Sequence, residues 1–264
     1  MSHRPRKRLG QHFLHDRHAI GRIIDSIGVR ADDHVLEIGP GEGVLTWSLL
    51  ERAGRVDVVE IDRDLAAGLT TQAEAAGREL HVHVTDALRF DLTDIAGDTP
   101  LRVVGNLPYN ISTPLLFHLL EQRTYIADMH LMLQREVVER MAAPAGSAAR
   151  GRLSVMLQAF CRVEALFHLP PGAFRPPPRV DSTVARLVPL ATPVVEPAAA
   201  AAYAQIVRLA FAGRRKTLRR TLAPLLTAEA IEACGVDPGL RPERLDVAAF
   251  AALAHSVTHE QTAP

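Results

Sequence analysis

Between residues 35 and about 135, short apolar runs alternate with stretches whose apolar residues recur every three or four positions. The runs at 35–38, 56–61, 80–84, 101–104 and 129–133 are rich in Val, Ile and Leu, and their length predicts strands. The segments 44–52 and 65–76 between them have helical spacing. Strand–helix alternation of this kind predicts a parallel sheet with helices on both faces. A helix at 153–161 and two more strands, 163–169 and 184–188, follow. The stretch 191–197, with Pro193 and Pro197, reads as a linker. Beyond it, 198–212, 216–226 and 228–233 read as helices, punctuated by Gly213, Pro224, Gly235 and Pro242. The expected organisation is an α/β domain over residues 1–190 and a smaller helical domain over 191–264. Residues 1–9 are expected to be a basic flexible arm, and roughly the last eight residues to lack order. No internal repeat is visible.

Composition narrows the function classes little. Lys and Arg total 30 against 30 Asp and Glu, so net charge neither demands nor excludes nucleic acid. Distribution says more. Only two of the basic residues are Lys, and both lie in clusters: Arg4, Arg6, Lys7 and Arg8 near the start, and Arg214, Arg215, Lys216, Arg219 and Arg220 later. Such clusters are commonly solvated helix faces. Arg-richness favours nucleic acid, because a planar guanidinium pairs with phosphate and stacks on bases. Cys161 and Cys234 form no metal-ligand or redox motif and are expected to be reduced core thiols of a cytoplasmic protein. The basic start has no apolar segment behind it, and no apolar run reaches membrane-spanning length, so a soluble protein with no membrane partner is expected.

The first candidate chemistry lies just after the first strand. In Glu37-Ile-Gly-Pro-Gly-Glu-Gly43, glycines let the backbone pass close to a ligand, and the next helix offers N–H donors. An ordinary tight strand–helix turn has the same look. The dinucleotide fingerprint G-x-G-x-x-G is not met, because the third glycine, Gly43, comes one residue early. Glu60 closes the second strand, where a doubly wound fold places the acid that accepts from ribose hydroxyls. Asp86 comes after the third strand and could accept from an adenine amine. A Gly-rich turn, a Glu and an Asp at three consecutive strand ends together suit an adenosyl cofactor.

Asn106-Leu107-Pro108-Tyr109 comes after the fourth strand. It could be no more than a turn, since Pro108 cannot continue a ladder. Its chemistry suggests more. The exocyclic amine of adenine is a poor nucleophile, its lone pair delocalised into the ring. A side-chain amide oxygen and a main-chain carbonyl can accept both amine hydrogens and hold the nitrogen in line with a methyl donor. Pro108 fixes the backbone so that a carbonyl faces the pocket. Tyr109 offers a flat surface on which an extruded base can stack.

With these residues in view, the chain resembles the ribosomal RNA adenine dimethyltransferase family. Within it, the resemblance is to the bacterial branch that modifies two adjacent adenosines near the 3′ end of small-subunit rRNA. The motifs that carry the resemblance are Gly10-Gln-His-Phe-Leu-His-Asp16, Glu37-Ile-Gly-Pro-Gly41, Gly105-Asn-Leu-Pro-Tyr-Asn-Ile-Ser112, Gly151-Arg-Leu-Ser-Val155, Phe174-Arg-Pro-Pro-Pro-Arg-Val-Asp-Ser182 and Arg214-Arg-Lys-Thr217. The resemblance implies a Rossmann-like class I S-adenosylmethionine methyltransferase sheet with an added antiparallel strand, and a helical domain after it. It implies a cofactor site of His12, Leu14, Gly39, Gly41, Glu60, Asp86 and Asn106. The catalytic loop would be Asn106, Leu107, Pro108 and Tyr109, with Phe174 as a second aromatic against the target adenine. Arg214, Arg215, Lys216 and Arg219 would contact RNA. His12 stands where the family usually has Asn, and a neutral imidazole can still donate one hydrogen bond. The implied activity is dimethylation of adenosine N6 in 16S rRNA, within the small subunit or its precursor, by a monomer that needs no metal. Three rivals remain: the resistance-type branch that acts on 23S rRNA, a non-catalytic assembly factor, and an NAD-linked oxidoreductase.

Overall fold

The computed structural model describes residue 6, residues 10–213 and residues 215–262. In chain order it contains β1 (Phe13–Leu14), α1 (Arg17–Ile27), β2 (His34–Ile38), α2 (Thr46–Leu50), β3 (Arg55–Val59), α3 (Arg63–Ala75), β4 (His81–His83), β5 (Leu101–Asn106), α4 (Ser112–Glu121) and β6 (Ile126–Gln134). After these come α5 (Arg135–Met141), α6 (Arg152–Gln158), β7 (Cys161–Leu169), β8 (Phe174–Arg175), β9 (Ser182–Pro189), α7 (Ala200–Ala210), α8 (Leu218–Thr221), α9 (Ala228–Ala233) and α10 (Val247–Thr262).

Seven strands form one sheet in the order β4-β3-β2-β5-β6-β9-β7. Pairing from β4 through β6 is parallel, and β9 runs antiparallel to β6. The expected Rossmann-like sheet and its antiparallel addition are both present. Every residue of β2 is buried, which a parallel strand covered on both faces requires. The strand order reverses between β2 and β5, so the crevice at their carboxyl ends is where such a fold binds ligands.

α1 has no counterpart in the expected elements, although its ends obey ordinary rules. The Asp16 side chain accepts from the N–H groups of His18 and Ala19 at 2.9 and 3.0 Å, and Gly28 closes the helix at φ 61°. Its buried Ala19, Ile23, Ile24 and Ile27 pack into the same cluster as Val35, Val56, Val104 and Phe174. β1 and β8 form a separate two-stranded pair, with Leu14 opposite Phe174. This pair ties the chain's beginning to the segment after β7.

The chain divides into two compact units. The first runs to residue 138 and takes in 164–189, and the second comprises 139–163 and the chain from 190 onward. The expected cut at 190 therefore moves, because residues 139–163 join the helical unit. There the Tyr203 hydroxyl donates to the Val155 carbonyl at 3.1 Å, and the buried Arg150 guanidinium donates to the carbonyls of Leu245 and Ala143 at 3.0 and 2.8 Å. Two further expectations change in this unit. The helix expected over 216–226 is only α8, which stops ahead of Pro224. α10 continues to Thr262, held by buried Phe250, Leu253, Ala254 and Val257, so order persists through much of the tail expected to lack it. Among the described residues, no helix is long and apolar enough to cross a membrane.

Candidate active site

One cavity in the first unit is lined by every residue expected to bind cofactor and by the whole of loop 106–109. The sheet explains the convergence. The N–H groups of Gly39, Glu60 and Leu107 donate to the carbonyls of Val59, His83 and Met132 at 2.9, 3.0 and 3.1 Å. The ladders therefore continue past the strand ends, and the turns leave the sheet along one rim.

Gly41 takes φ +58°, and a Cβ there would come within 2.9 Å of the Phe13 ring, so only glycine fits beneath β1. The Gly41 N–H donates to one Glu60 carboxylate oxygen at 3.2 Å, and the Asp62 N–H to the other at 2.8 Å. Burial pushes the Glu60 carboxyl above its ordinary pKa, while the N–H groups of Asp62 and Gly41 pull it back. A carboxylate has about four acceptor positions, and these backbone bonds do not fill them all, which leaves capacity for a ligand hydroxyl. One oxygen of Asp86 accepts from the Leu88 N–H at 3.0 Å, which leaves the second for a ligand donor. These groups fit a ribose and an adenine amine, each offering donors to a carboxylate.

Glu37, absent from the expected site, also lines the cavity and is 2% exposed. The Thr46 hydroxyl donates to it at 2.6 Å. Burial drives its pKa up to about 7, against the Thr46 hydrogen bond and reinforced by the charge of Glu60. Only its place at the head of the Gly-rich motif could have flagged it.

At the other end of the cavity, Asn106 Nδ2 donates to the His12 carbonyl at 2.9 Å. That bond orients the amide and leaves Oδ1 as an acceptor. The Pro108 carbonyl accepts from the Ile111 N–H at 3.1 Å and the Ser112 hydroxyl at 3.0 Å, so it is spent on the turn. The Leu107 carbonyl, next to it on the cavity wall, is a candidate main-chain acceptor for a substrate. Tyr109 is half-buried, and its phenol is hydrogen-bonded to the Ser182 hydroxyl at 2.8 Å. The His12 ring lies 5.5 Å from that of Tyr109 and 28° from parallel.

Phe174 does not join them. It is 2% exposed, paired in β8 and packed into the apolar cluster beneath α1. Its ring is a loop anchor, so the expected second aromatic is corrected: the ring that faces Tyr109 belongs to His12.

The segment 10–14 over the cavity is fastened at its outer end. The Arg6 guanidinium pairs with Asp62 at 2.9 Å and with Asp64, and the Gln11 amide donates to Asp62 at 3.3 Å. Arg6 is thus tied down within the expected flexible arm; Arg4, Lys7 and Arg8 lie outside the described residues. In the second unit, Arg215, Lys216 and Arg219 are exposed and line a shallow basic pocket with Thr217 and Arg220. Arg214 lies outside the described residues.

Known proteins resemble this chain along nearly its whole length. A family model described as ribosomal RNA adenine dimethylase matches residues 2–259. The ribosomal RNA small subunit methyltransferase A of Pseudomonas aeruginosa is 54% identical over 256 residues, covering 97% of this chain and 95% of its own. The protein of the same name from Xanthomonas campestris pv. campestris is 52% identical, with 95% of each chain covered. Among solved structures, a dimethyladenosine transferase from Plasmodium falciparum superposes with a TM-score of 0.78 at 27% identity, over 92% of this chain and 96% of its own. The 23S rRNA methyltransferase ErmE gives 0.72 at 30% identity, over 93% and 99%.

Proposed function

The chain belongs to the ribosomal RNA adenine dimethylase family, and from that premise we infer its reaction. It is an S-adenosylmethionine-dependent enzyme that dimethylates N6 of two adjacent adenosines in the 3′-terminal hairpin loop of 16S rRNA during small-subunit biogenesis. The observation that carries the reading is loop 106–109. It shares one cavity with Glu60 and Asp86, and the Asn106 amide is oriented by a bond that leaves its oxygen as an acceptor.

Bound S-adenosylmethionine supplies an electrophilic sulfonium methyl. Glu60 accepts from its ribose hydroxyls and Asp86 from its adenine amine, while Gly39, Gly41, His12 and Leu14 shape the walls. Asn106 Oδ1 and the Leu107 carbonyl hold the two hydrogens of the target N6, aligning its lone pair with the donor. Tyr109 stacks on the extruded base. Catalysis comes mostly from orientation and fixed polar groups, without a covalent enzyme intermediate. The methylated amine loses its proton readily to solvent, so no strong general base is required. Arg215, Lys216 and Arg219, with Arg214, hold phosphates of the RNA.

Glu60→Ala tests the donor half of this assignment. Removing the acceptors for the ribose hydroxyls should weaken S-adenosylmethionine binding by about 1–3 kcal/mol. Calorimetric titration measures it, and unchanged affinity removes Glu60 from the site.

Choice of substrate is tested on purified subunits from cells that lack the enzyme. Methyl incorporation should appear on the small subunit, as two methyl groups on each of two adjacent adenosines. Incorporation on the large subunit alone would instead place the chain with the 23S rRNA enzymes. The relatives at 52–54% identity carry a small-subunit name, whereas the 23S structure is 30% identical.

A further inference from the structure

The segment 174–182 begins with the buried ring of Phe174, yet it reaches the acceptor corner through two other groups. The Ser182 hydroxyl is hydrogen-bonded to the Tyr109 phenol at 2.8 Å, and the Pro176 carbonyl accepts from His12 Nδ1 at 2.7 Å. Since His12 lies against Tyr109, both rings at this corner are tied to one segment.

The two ends of the Ser182–Tyr109 bond differ in how the backbone holds them. Ser182 is 1% exposed and sits in β9 opposite Gln134 of β6, and the neighbouring Asp181 carbonyl accepts from the Arg135 N–H at 3.0 Å. Its position is set by the sheet. Tyr109 lies between β5 and α4, outside any helix or strand, beside the exposed Asn110. A half-buried ring in such a turn can swing about two side-chain torsions, and a hydroxyl–hydroxyl bond to a fixed partner removes that freedom.

We propose that Ser182 is a positioning residue for methyl transfer: its hydroxyl sets the plane of the Tyr109 ring and thereby the plane in which the target adenine stacks. This rests on the reading of Tyr109 as the stacking surface. Stacking uses the ring face and is indifferent to the phenol, but the orientation of that face is not. Small misplacements of reacting groups cost rate more than affinity. The second transfer is the more exposed of the two. A monomethylated amine keeps one hydrogen, so one fewer hydrogen bond aligns it and more of the alignment falls to the stack.

The experiment compares Ser182→Ala, Tyr109→Phe, their double variant, Ser182→Thr and Tyr109→Ala in single-turnover methylation of small subunits. Mono- and dimethyladenosine are quantified by mass spectrometry, and cofactor and RNA affinities are measured separately. Ser182→Ala and Tyr109→Phe should each slow transfer about 5-fold, the equivalent of about 1 kcal/mol for one lost neutral hydrogen bond. Both should accumulate monomethyladenosine, with both affinities unchanged, and Ser182→Thr should restore the rate and the product ratio. The double variant should be no slower than either single, because all three remove the same bond. If Ser182→Ala disturbs folding, Tyr109→Phe removes that bond from the other side and carries the test. Wild-type rate and product ratio in both single variants overturn the proposal, and so do effects that multiply in the double. Tyr109→Ala separates the two levels. If it is crippled while Ser182→Ala is not, only the positioning role falls. If it is fully active, the stacking role of Tyr109 falls too.

Discussion

Asn106→Ala should reduce the rate of methyl transfer on the order of 10²–10³-fold, the scale seen when one preorganised polar contact to a reacting centre is removed. Two losses combine. The variant lacks Oδ1, the acceptor proposed to hold one N6 hydrogen, so the amine is free to lie flat in conjugation with the ring. It also lacks Nδ2, which donates to the His12 carbonyl at 2.9 Å and helps keep residues 10–14 over the cavity. Asn106→Asp separates the two. Ionised, it keeps an acceptor oxygen but sets a negative charge against the His12 carbonyl, so cofactor affinity should fall further than in Asn106→Ala. Single-turnover methylation of small subunits, with S-adenosylmethionine affinity measured by calorimetry, resolves rate from binding. The product pattern gives a second check. A monomethylated amine can be held again by its remaining hydrogen, and a dimethylated one has none, so wild-type enzyme should stop at dimethyladenosine. A wild-type transfer rate in Asn106→Ala would end the alignment role.

Asn106 was legible because its chemistry and its position coincide. Buried parallel strands announce themselves as apolar runs, and a doubly wound sheet gathers the turns at their carboxyl ends along one rim. Glu60, Asp86 and Asn106 could therefore be assigned to one site before their contacts were known. Features that depend on pairing across long stretches of chain were not legible. The hydroxyl partner of Tyr109 is Ser182, 73 residues away, and the anchor of His12 is the carbonyl of Pro176, 164 residues away. The burial of Phe174 is hidden for the same reason. Its ring answers to Leu14 and the α1 side chains, and nothing in the local Pro-rich motif distinguishes a buried anchor from an exposed stacking ring. Polar clusters away from the cavity show the same limit. Asp57 on β3 receives His34 from β2 and His83 from β4 at 2.7 and 2.6 Å, a set that exists only once three strands are adjacent. Arg102 on β5 likewise joins Asp33 and Asp128 at 2.8 and 2.9 Å. The edge of the helical unit is hidden because residues 139–163 run into β7 in sequence yet include Phe160, whose ring meets Tyr203 of α7 edge-on. α1, by contrast, had readable signals in Asp16 and Gly28.

Glu37→Gln should flatten the dependence of stability on pH, and the sign comes from the folded-state pKa. In the unfolded chain this carboxyl ionises near its ordinary value of 4.5, whereas in the folded protein burial holds its proton until about pH 7. Between those values the folded state binds more protons than the unfolded one, so the contribution of Glu37 to stability falls as pH rises. That contribution is fully present below about pH 4.5 and fully lost above about pH 7. A displacement of this size corresponds to about 3 kcal/mol. Glutamine keeps the shape and an acceptor for the Thr46 hydroxyl but has no proton to lose. The stability of Glu37→Gln relative to wild type should therefore rise by up to about 3 kcal/mol between pH 5 and pH 8, whatever Asp57 and other carboxyls contribute to both proteins. Urea unfolding read by Trp47 fluorescence suits the measurement. Trp47 is the single tryptophan of the chain and lies next to Thr46 in α2, so its signal reports the unit that holds Glu37. Parallel stability curves for the two proteins across that range would mean that Glu37 is already ionised in the folded state at pH 5.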